Sequence, residues 1–319
     1  MGGLGKTTLA GAVFSQIFCR FDGGCCFVAN VREESENCGG LVHLRDKLLC
    51  QILGQKLNLG TSHITPFIKR RLQSKKVFIV LDDVNSLKQL ETLVGGLDRF
   101  GPGSRVLITA RDKQLLLKFV VPNNIYEVKP LDGHEALQLF CNYAFKVDPI
   151  PKDLMVYAQR ATNYAKGNPL ALKVLGSSLY RNSEQDWESA LHKLNKISKP
   201  KIHNILRIGY DAPDRKDKNI LLYIGYFFEE EYRDHVIEIL NSCYFSVEAG
   251  LSVLIDKSLI EILASEIKMH DLLQEMCWEI VRQESLNKPG ERSRLHVHED
   301  VCRVLRTNTV SVSMFGFVS

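Results

Sequence analysis

Apolar residues open the chain at helical spacing. Leu9, Val13 and Ile17 recur every fourth position, and Ala10, Phe14 and Phe18 repeat the rhythm one residue on. The pattern predicts a broadly apolar helix that would be buried. Cys25-Cys26-Phe27-Val28-Ala29, behind Gly23-Gly24, is a short apolar run expected as a strand covered on both faces. A helix follows with Leu41, Leu44, Leu48, Leu49 and Ile52 on one stripe, ending near Gly54. Ile68 to Ser74 reads as a short basic helix, and Val77 to Leu81 as a buried strand ending in Asp82-Asp83. Ser86-x-x-Gln89 is a capping-box spacing for the next helix, which closes at Gly95-Gly96. After the turn Gly101-Pro102-Gly103, Arg105 to Ala110 makes a third strand, and Ile125-Tyr126-Glu127-Val128 a fourth, half-buried one. Alternating strands and helices of this length predict an α/β fold with a parallel sheet covered on both faces.

From Asp132 the pattern turns helical. Asp132-x-x-Glu135 caps a helix carrying Leu137, Phe140 and Phe145. Gly167-Asn168-Pro169-Leu170 starts another, proline being favoured in a first turn. Trp187, Leu191 and Leu194 stripe the next. From about Lys201 come apolar sets at Leu221, Ile224 and Phe228, at Val236, Ile239 and Leu240, and at Val247, Leu251 and Leu254. Two strand-like runs, Ser258 to Leu263 and Glu266 to Met269, precede a helix opened by His270-Asp271 and continuing through Arg282. Helices followed by a small hairpin is the order of a winged-helix unit. Asp271-x-x-Gln274 has capping-box spacing, which makes Asp271 the expected N-cap.

Composition narrows the class of partner. At 319 residues the length suggests more than one domain, and 45% hydrophobic with 24% charged residues is ordinary for a globular chain. A net charge of +4 is too balanced to argue for nucleic acid or a membrane surface. Winged helices often bind DNA, yet Asp271, Glu275, Glu279 and Glu284 against Arg282 make the last long helix repel phosphate backbones. A structural or regulatory winged helix is the better reading. Nine cysteines include no C-x-x-C pair, which fits free thiols in a reducing compartment. The uncharged apolar stretch Ile220 to Phe228 falls far short of the roughly 18–20 residues of a membrane helix. No charged-then-apolar leader opens the chain.

The chemistry concentrates at the start. Met1-Gly2-Gly3-Leu4-Gly5-Lys6-Thr7-Thr8 fits seven of the eight positions of Gly-x-x-x-x-Gly-Lys-[Ser/Thr], the leading glycine being the one not present. Its glycines let successive N–H groups turn onto phosphate oxygens, Lys6 reaches the β/γ-phosphates and Thr7 ligates Mg²⁺. The missing glycine and the strand that launches such a loop would precede Met1, so the chain reads as truncated there. The alternative is a disordered glycine-rich terminus. Asp82-Asp83 closes a buried strand at the edge where open α/β sheets bind ligands, and so reads as a Walker B element. Asp82 would hold the Mg²⁺, and Asp83 would polarise the attacking water; a plain turn is the alternative. Arg111, at the end of the third strand, can fork onto a γ-phosphate, or can be a surface charge paired with Asp112. His296, His298, Glu299, Asp300 and Cys302 fit no usual zinc spacing and are read as a surface turn before a last helix.

Taken together and in order, Gly-Gly-Leu-Gly-Lys-Thr-Thr, Phe27-Val28-Ala29-Asn30-Val31-Arg32-Glu33, Leu81-Asp82-Asp83-Val84, Gly103 to Arg111, Gly167 to Leu172 and Met269-His270-Asp271-Leu272 closely resemble the NB-ARC nucleotide switch of plant intracellular immune receptors. Asn85, Gln274-Glu275-Met276 and Ile280 to Glu284 resemble the subclass that carries a Toll/interleukin-receptor domain. The likeness runs to about Asn308.

The resemblance implies a P-loop NTPase subdomain over 1–130, a helical subdomain over 131–200, a winged helix over 201–308 and a divergent tail over 309–319. It implies a switch held off by ADP and opened by ATP, with hydrolysis slow at most. Gly2, Gly3, Gly5, Lys6, Thr7 and Thr8 would bind phosphates, Thr7 and Asp82 the Mg²⁺, with Asp83 the catalytic candidate. Arg111 would sense the γ-phosphate, Pro169 lie against adenine and His270 reach the ADP β-phosphate. Implied partners are the nucleotide, further copies of the chain on activation, and the Toll/interleukin-receptor and leucine-rich-repeat domains of a full-length relative, with no direct nucleic acid and no membrane. The implied location is cytoplasmic, with the nucleus as an addition. Tyr223, Gly225, Tyr226 and Cys277-Trp278 depart from the usual pattern, so the winged-helix packing is expected to differ. The alternatives are a turnover ATPase, a DNA-binding regulator and a non-functional fragment.

Overall fold

The structure is a computed structural model that describes residues 2–21, 24–36, 39–56, 64–146, 152–195, 202–242 and 246–307. Met1, Gly23, Lys201 and the expected tail 309–319 lie outside the described residues. The chain divides into two compact units, 1–129 and 130–319.

The first unit is a parallel sheet in the order β1 (Cys25–Val28), β2 (Phe78–Val84), β3 (Arg105–Ala110). Strand alternation sends Phe78 and Val80 to one face and Ile79 and Leu81 to the other. On the first face lies α1 (Lys6–Ile17), whose Phe14 stacks on Phe78 and meets Phe27 edge-on. The second face is covered by α2 (Val31–Glu36), α3 (Gly40–Leu53), α4 (Pro66–Gln73) and α5 (Leu87–Leu93). The stripe Leu44, Leu48, Leu49 and Ile52 is buried as expected, and Gly54, at φ 66, ends α3. Ser86 and Gln89 form the capping box that opens α5. A short α6 (Lys113–Leu117) follows β3.

Two expectations fail here. The first helix is buried only along its inward stripe: Ala10 is 2% exposed, but Leu9 is 45% and Phe18 49% exposed. A helix packed on one sheet face keeps an outward side whatever its composition, and Phe18 belongs to a following 3₁₀ turn. The fourth strand is also absent, because Ile125–Val128 has no ladder and Tyr126 is 78% exposed. Ile125 and Val128 are the half-buried pair, three apart rather than two, and Pro122 and Pro130, which lack N–H donors, bracket them. Glu127 instead pairs with Lys113 of α6 at 3.0 Å.

The second unit opens with α7 (Gly133–Ala144), α8 (Met155–Ala165), α9 (Pro169–Leu179) and α10 (Glu184–Asn195) around Trp187, which stacks on Phe145 and meets Phe140 edge-on. Helix α9 is a shared wall. Its Ala171, Leu172 and Leu175 face this helical core, while Leu170 and Val174 face the next one. That second core joins α11 (Ile202–Asp211), α12 (Arg215–Tyr223), a π turn at Ile224–Phe228, α13 (Arg233–Asn241), α14 (Val247–Asp256), the antiparallel hairpin β4 (Glu261–Leu263) and β5 (Glu266–Lys268), and α15 (Asp271–Arg282). The hairpin strands are shorter than the apolar runs that predicted them. A last helix, α16 (His298–Thr307), follows.

Four of the departing residues, Gly225, Tyr226, Cys277 and Trp278, form one mutual fit. The Trp278 indole donates to the Gly225 carbonyl at 2.9 Å, and the Tyr226 hydroxyl donates to the Trp278 carbonyl at 3.2 Å. A Cβ on Gly225 would lie 3.0 Å from that of Cys277, so each unusual residue answers another. Cys277 is fully buried, and burial pushes its thiol up to about 12.

Candidate functional site

The candidate site of the first unit lies at the C-terminal edge of its sheet. Gly3 (φ 72) and Gly5 (φ 80) adopt left-handed backbone that a side chain would resist, and they turn the chain into α1. Gly5 is the N-cap and offers no side chain to the first turn, so the helix begins with backbone N–H groups that an anion can satisfy. The Thr7 hydroxyl donates to both oxygens of Asp82, at 3.1 and 2.9 Å. Asp82 is 1% exposed, and Thr109 donates to its Oδ1 at 2.6 Å. A threonine hydroxyl and a carboxylate converging beside a helix N-terminus are hard oxygen donors of the kind Mg²⁺ takes, so the residues present fit a nucleotide with its metal.

Regular alternation would send Asp82 and Asp83 to opposite faces. The ladder between β2 and β3 shifts register between Leu81 and Val84, and Asp83 sits at φ 53. The bulge redirects the strand at Asp83, whose side chain meets Arg32 and Arg111 while Asp82 meets Thr7. The Asp83 N–H donates to Thr109 Oγ1 at 2.9 Å, so one threonine braces both acids. The Asp83 side chain lies between two guanidinium groups: Arg32 Nε is 3.2 Å from Oδ2 and Arg111 Nε is 3.1 Å from Oδ1. Arg111 therefore has Asp83 as a partner, while Asp112 caps α6 by accepting from Gln114 N at 2.8 Å.

Sequence reasoning missed Thr109 and Arg32. Both stand inside motifs quoted above, but only the folded sheet brings residues 26 apart in the chain into contact at the edge.

Two expected site residues belong to the second unit. Pro169 is the first residue of α9, with Asn168 as N-cap accepting from Ala171 N at 3.1 Å. His270 is exposed and is itself the N-cap of α15, its Nδ1 accepting from Leu272 N at 3.1 Å. The expected Asp271 cap is thereby corrected: Asp271 is the first helical residue, where its charge suits the helix dipole. With Nδ1 accepting, the neutral ring carries its proton on Nε2, which makes that atom a donor.

Among the described residues no cluster of three or more His, Cys, Asp or Glu could hold a metal. His296 instead stacks on Trp278 at 4.5 Å. The described cysteines are free thiols, and no described helix is long and apolar enough to cross a membrane.

The NB-ARC domain model matches residues 1–149, and the winged-helix domain model of Roq1-like disease resistance proteins matches residues 214–285. Disease resistance protein RPV1 of Vitis rotundifolia is 44% identical over 298 residues, covering 92% of this chain and 21% of that protein. TMV resistance protein N of Nicotiana glutinosa is 40% identical over 322 residues, covering 98% of this chain and 27% of that protein. The chain thus spans about a quarter of the length of these relatives. A solved signal transduction ATPase with numerous domains, carrying a tetratricopeptide repeat sensor, from Pyrococcus horikoshii, superposes with a TM-score of 0.53 at 18% identity. It covers 96% of this chain and 42% of its own, a likeness of fold.

Proposed function

This chain belongs to the NB-ARC family of plant disease resistance proteins, and from that premise we propose that it is the nucleotide-operated switch of an intracellular receptor, ADP-bound when off and ATP-bound when on. The observation that carries the reading is the contact of Thr7 with Asp82 beside the uncapped start of α1. The loop's N–H groups and Lys6 bind the phosphates, with Gly2 and Thr8 flanking them. Thr7 and Asp82 would hold Mg²⁺, which when bound would neutralise phosphate charge. By the family likeness, Pro169 is assigned to adenine and His270, through Nε2, to the β-phosphate. The functional divisions are 1–130, 131–200 and 201–308, and on ATP binding copies of the chain associate. In a full-length relative, Toll/interleukin-receptor and leucine-rich-repeat parts would supply output and sensing in the cytoplasm, with the nucleus as a second location.

Asp83 supports a switch over a turnover ATPase. Both its oxygens accept from arginines, which leaves the carboxylate serving to position cations rather than to draw a proton from water. Hydrolysis is then far below the enzyme median of about 10 per second.

The test is to purify the chain, release any bound nucleotide by denaturation and identify it. ADP is expected with the wild type and none with Lys6→Ala. A folded wild-type preparation that carries no nucleotide and takes up none overturns the reading.

A further inference from the structure

The segment Phe27 to Glu33 delivers Arg32 to the edge where Asp83 stands. Asn30 takes φ 47, a left-handed turn that asparagine tolerates, between β1 and α2. Val31 then anchors the first turn of α2 at 0% exposure. The other end of this short helix is tied down by Gln89, whose amide donates to Ser35 Oγ at 2.6 Å while its carbonyl accepts from Asn85 and Ser86 N–H. The helix is therefore fixed from both ends, with Asn85 lying two residues beyond Asp83. Arg32, on α2, and Arg111, just past the end of β3, reach the same carboxylate, each about a quarter exposed against 13% for Asp83. Ion pairs that keep this much contact with water add only modestly to stability. Two arginines on one acid at a phosphate edge are better explained by what binds there.

We propose that Arg32 reads the terminal phosphate of a nucleoside triphosphate together with Arg111, Asp83 holding the two guanidinium groups in register until that phosphate competes for them. The inference rests on the nucleotide-switch reading. A terminal phosphate offers three strong acceptor oxygens and more charge than a carboxylate, and guanidinium is the side chain suited to it. ADP, which lacks that phosphate, leaves the pair on Asp83. Arg32 is then a determinant of triphosphate over diphosphate, distinct from the loop residues that bind both.

The test compares the affinities of the 319-residue chain for ATPγS and ADP. Arg32→Gln is expected to lower the ATPγS-to-ADP affinity ratio about tenfold, by removing a charge-assisted contact to one ligand only, and Arg32→Lys to retain most of it. An unchanged ratio in a folded Arg32→Gln protein that still binds ADP overturns the inference and reduces Arg32 to a brace for Asp83. A wild-type chain that binds neither nucleotide overturns the switch reading, and this inference with it. If Arg32→Gln does not fold, dicarbonyl labelling of arginines in the wild type, read by mass spectrometry, decides. Protection of Arg32 by ATPγS beyond that by ADP supports the proposal, and equal labelling overturns it.

Discussion

The phosphate edge of the first unit and the helix starts of the second are both places where polar side chains meet a fixed demand, but they are assembled over different lengths of chain. Thr7 reaches Asp82 across 75 positions and Asp83 reaches Thr109 across 26. Asp132 with Glu135, and Asn168 with Ala171, close their contacts within three. The edge needs a bulge and left-handed backbone at Gly3, Gly5 and Asp83, whereas the caps use ordinary extended conformations. Long-range polar contacts therefore exist only once the sheet has formed and can be tuned by a ligand there. Local caps form with their own helix and serve it alone.

The hardest way to break this contrast is to remove the acid at its centre. Asp82→Ala leaves the Thr7 and Thr109 hydroxyls without their acceptor at a site 1% exposed. A loss of about 1–3 kcal/mol is expected, together with loss of nucleotide binding. Denaturant unfolding and an ADP titration read the two effects. Asn168→Ala, a cap deletion, is expected to cost about 1 kcal/mol with only a modest change in ADP affinity. If the cap variant weakens ADP binding more than Asp82→Ala does, the division between ligand-tuned and local contacts fails.

A smaller effect comes from the part of the second unit that is not local. Burial between Trp278 and Tyr226 lowers the pKa of His296, with Asp300 opposing and Arg292 adding to the shift. The unfolded chain then takes up this proton at higher pH than the folded one. The stability that neutral His296 contributes is complete above its ordinary pKa of about 6.5 and declines below it. Unfolding followed from pH 7.5 down to 5 is expected to show this decline, and His296→Phe to flatten it. An identical slope in the variant would assign the decline to other groups.

These distances also decide what could be read from the sequence. The apolar stripe of α3, the capping boxes of α5 and α7 and Pro169 at the start of α9 were all legible, because each is a pattern within one or two turns. Asp82 and Asp83 were legible as a pair at a strand end, but their separation into a Thr7 partner and an arginine holder was not, since it follows from a register shift. Ile125–Val128 imitates a strand in composition, but its half-buried residues stand three apart, a spacing that no strand face has. Gly225 and Trp278 looked like isolated departures, while 53 positions apart in the chain they hydrogen-bond to each other.

The smallest effect on stability is expected at the one residue that stands on both sides of the contrast. His270 caps α15 through Nδ1, a local task, and the proposed switch asks its Nε2 to hold a β-phosphate. His270→Asn separates the two. Asparagine is among the best N-caps, so the unfolding free energy should hold or rise by about a few tenths of a kcal/mol. The shorter amide cannot reproduce the reach of the ring, and ADP release should quicken about tenfold, the loss of one charge-assisted hydrogen bond. Release is read by chasing a fluorescent ADP from the preloaded chain. An unchanged release rate in a variant of undiminished stability would leave His270 as a cap alone. Release that quickens without any loss of stability would instead mark the start of α15 as ligand-tuned, the property otherwise kept to the edge around Asp82.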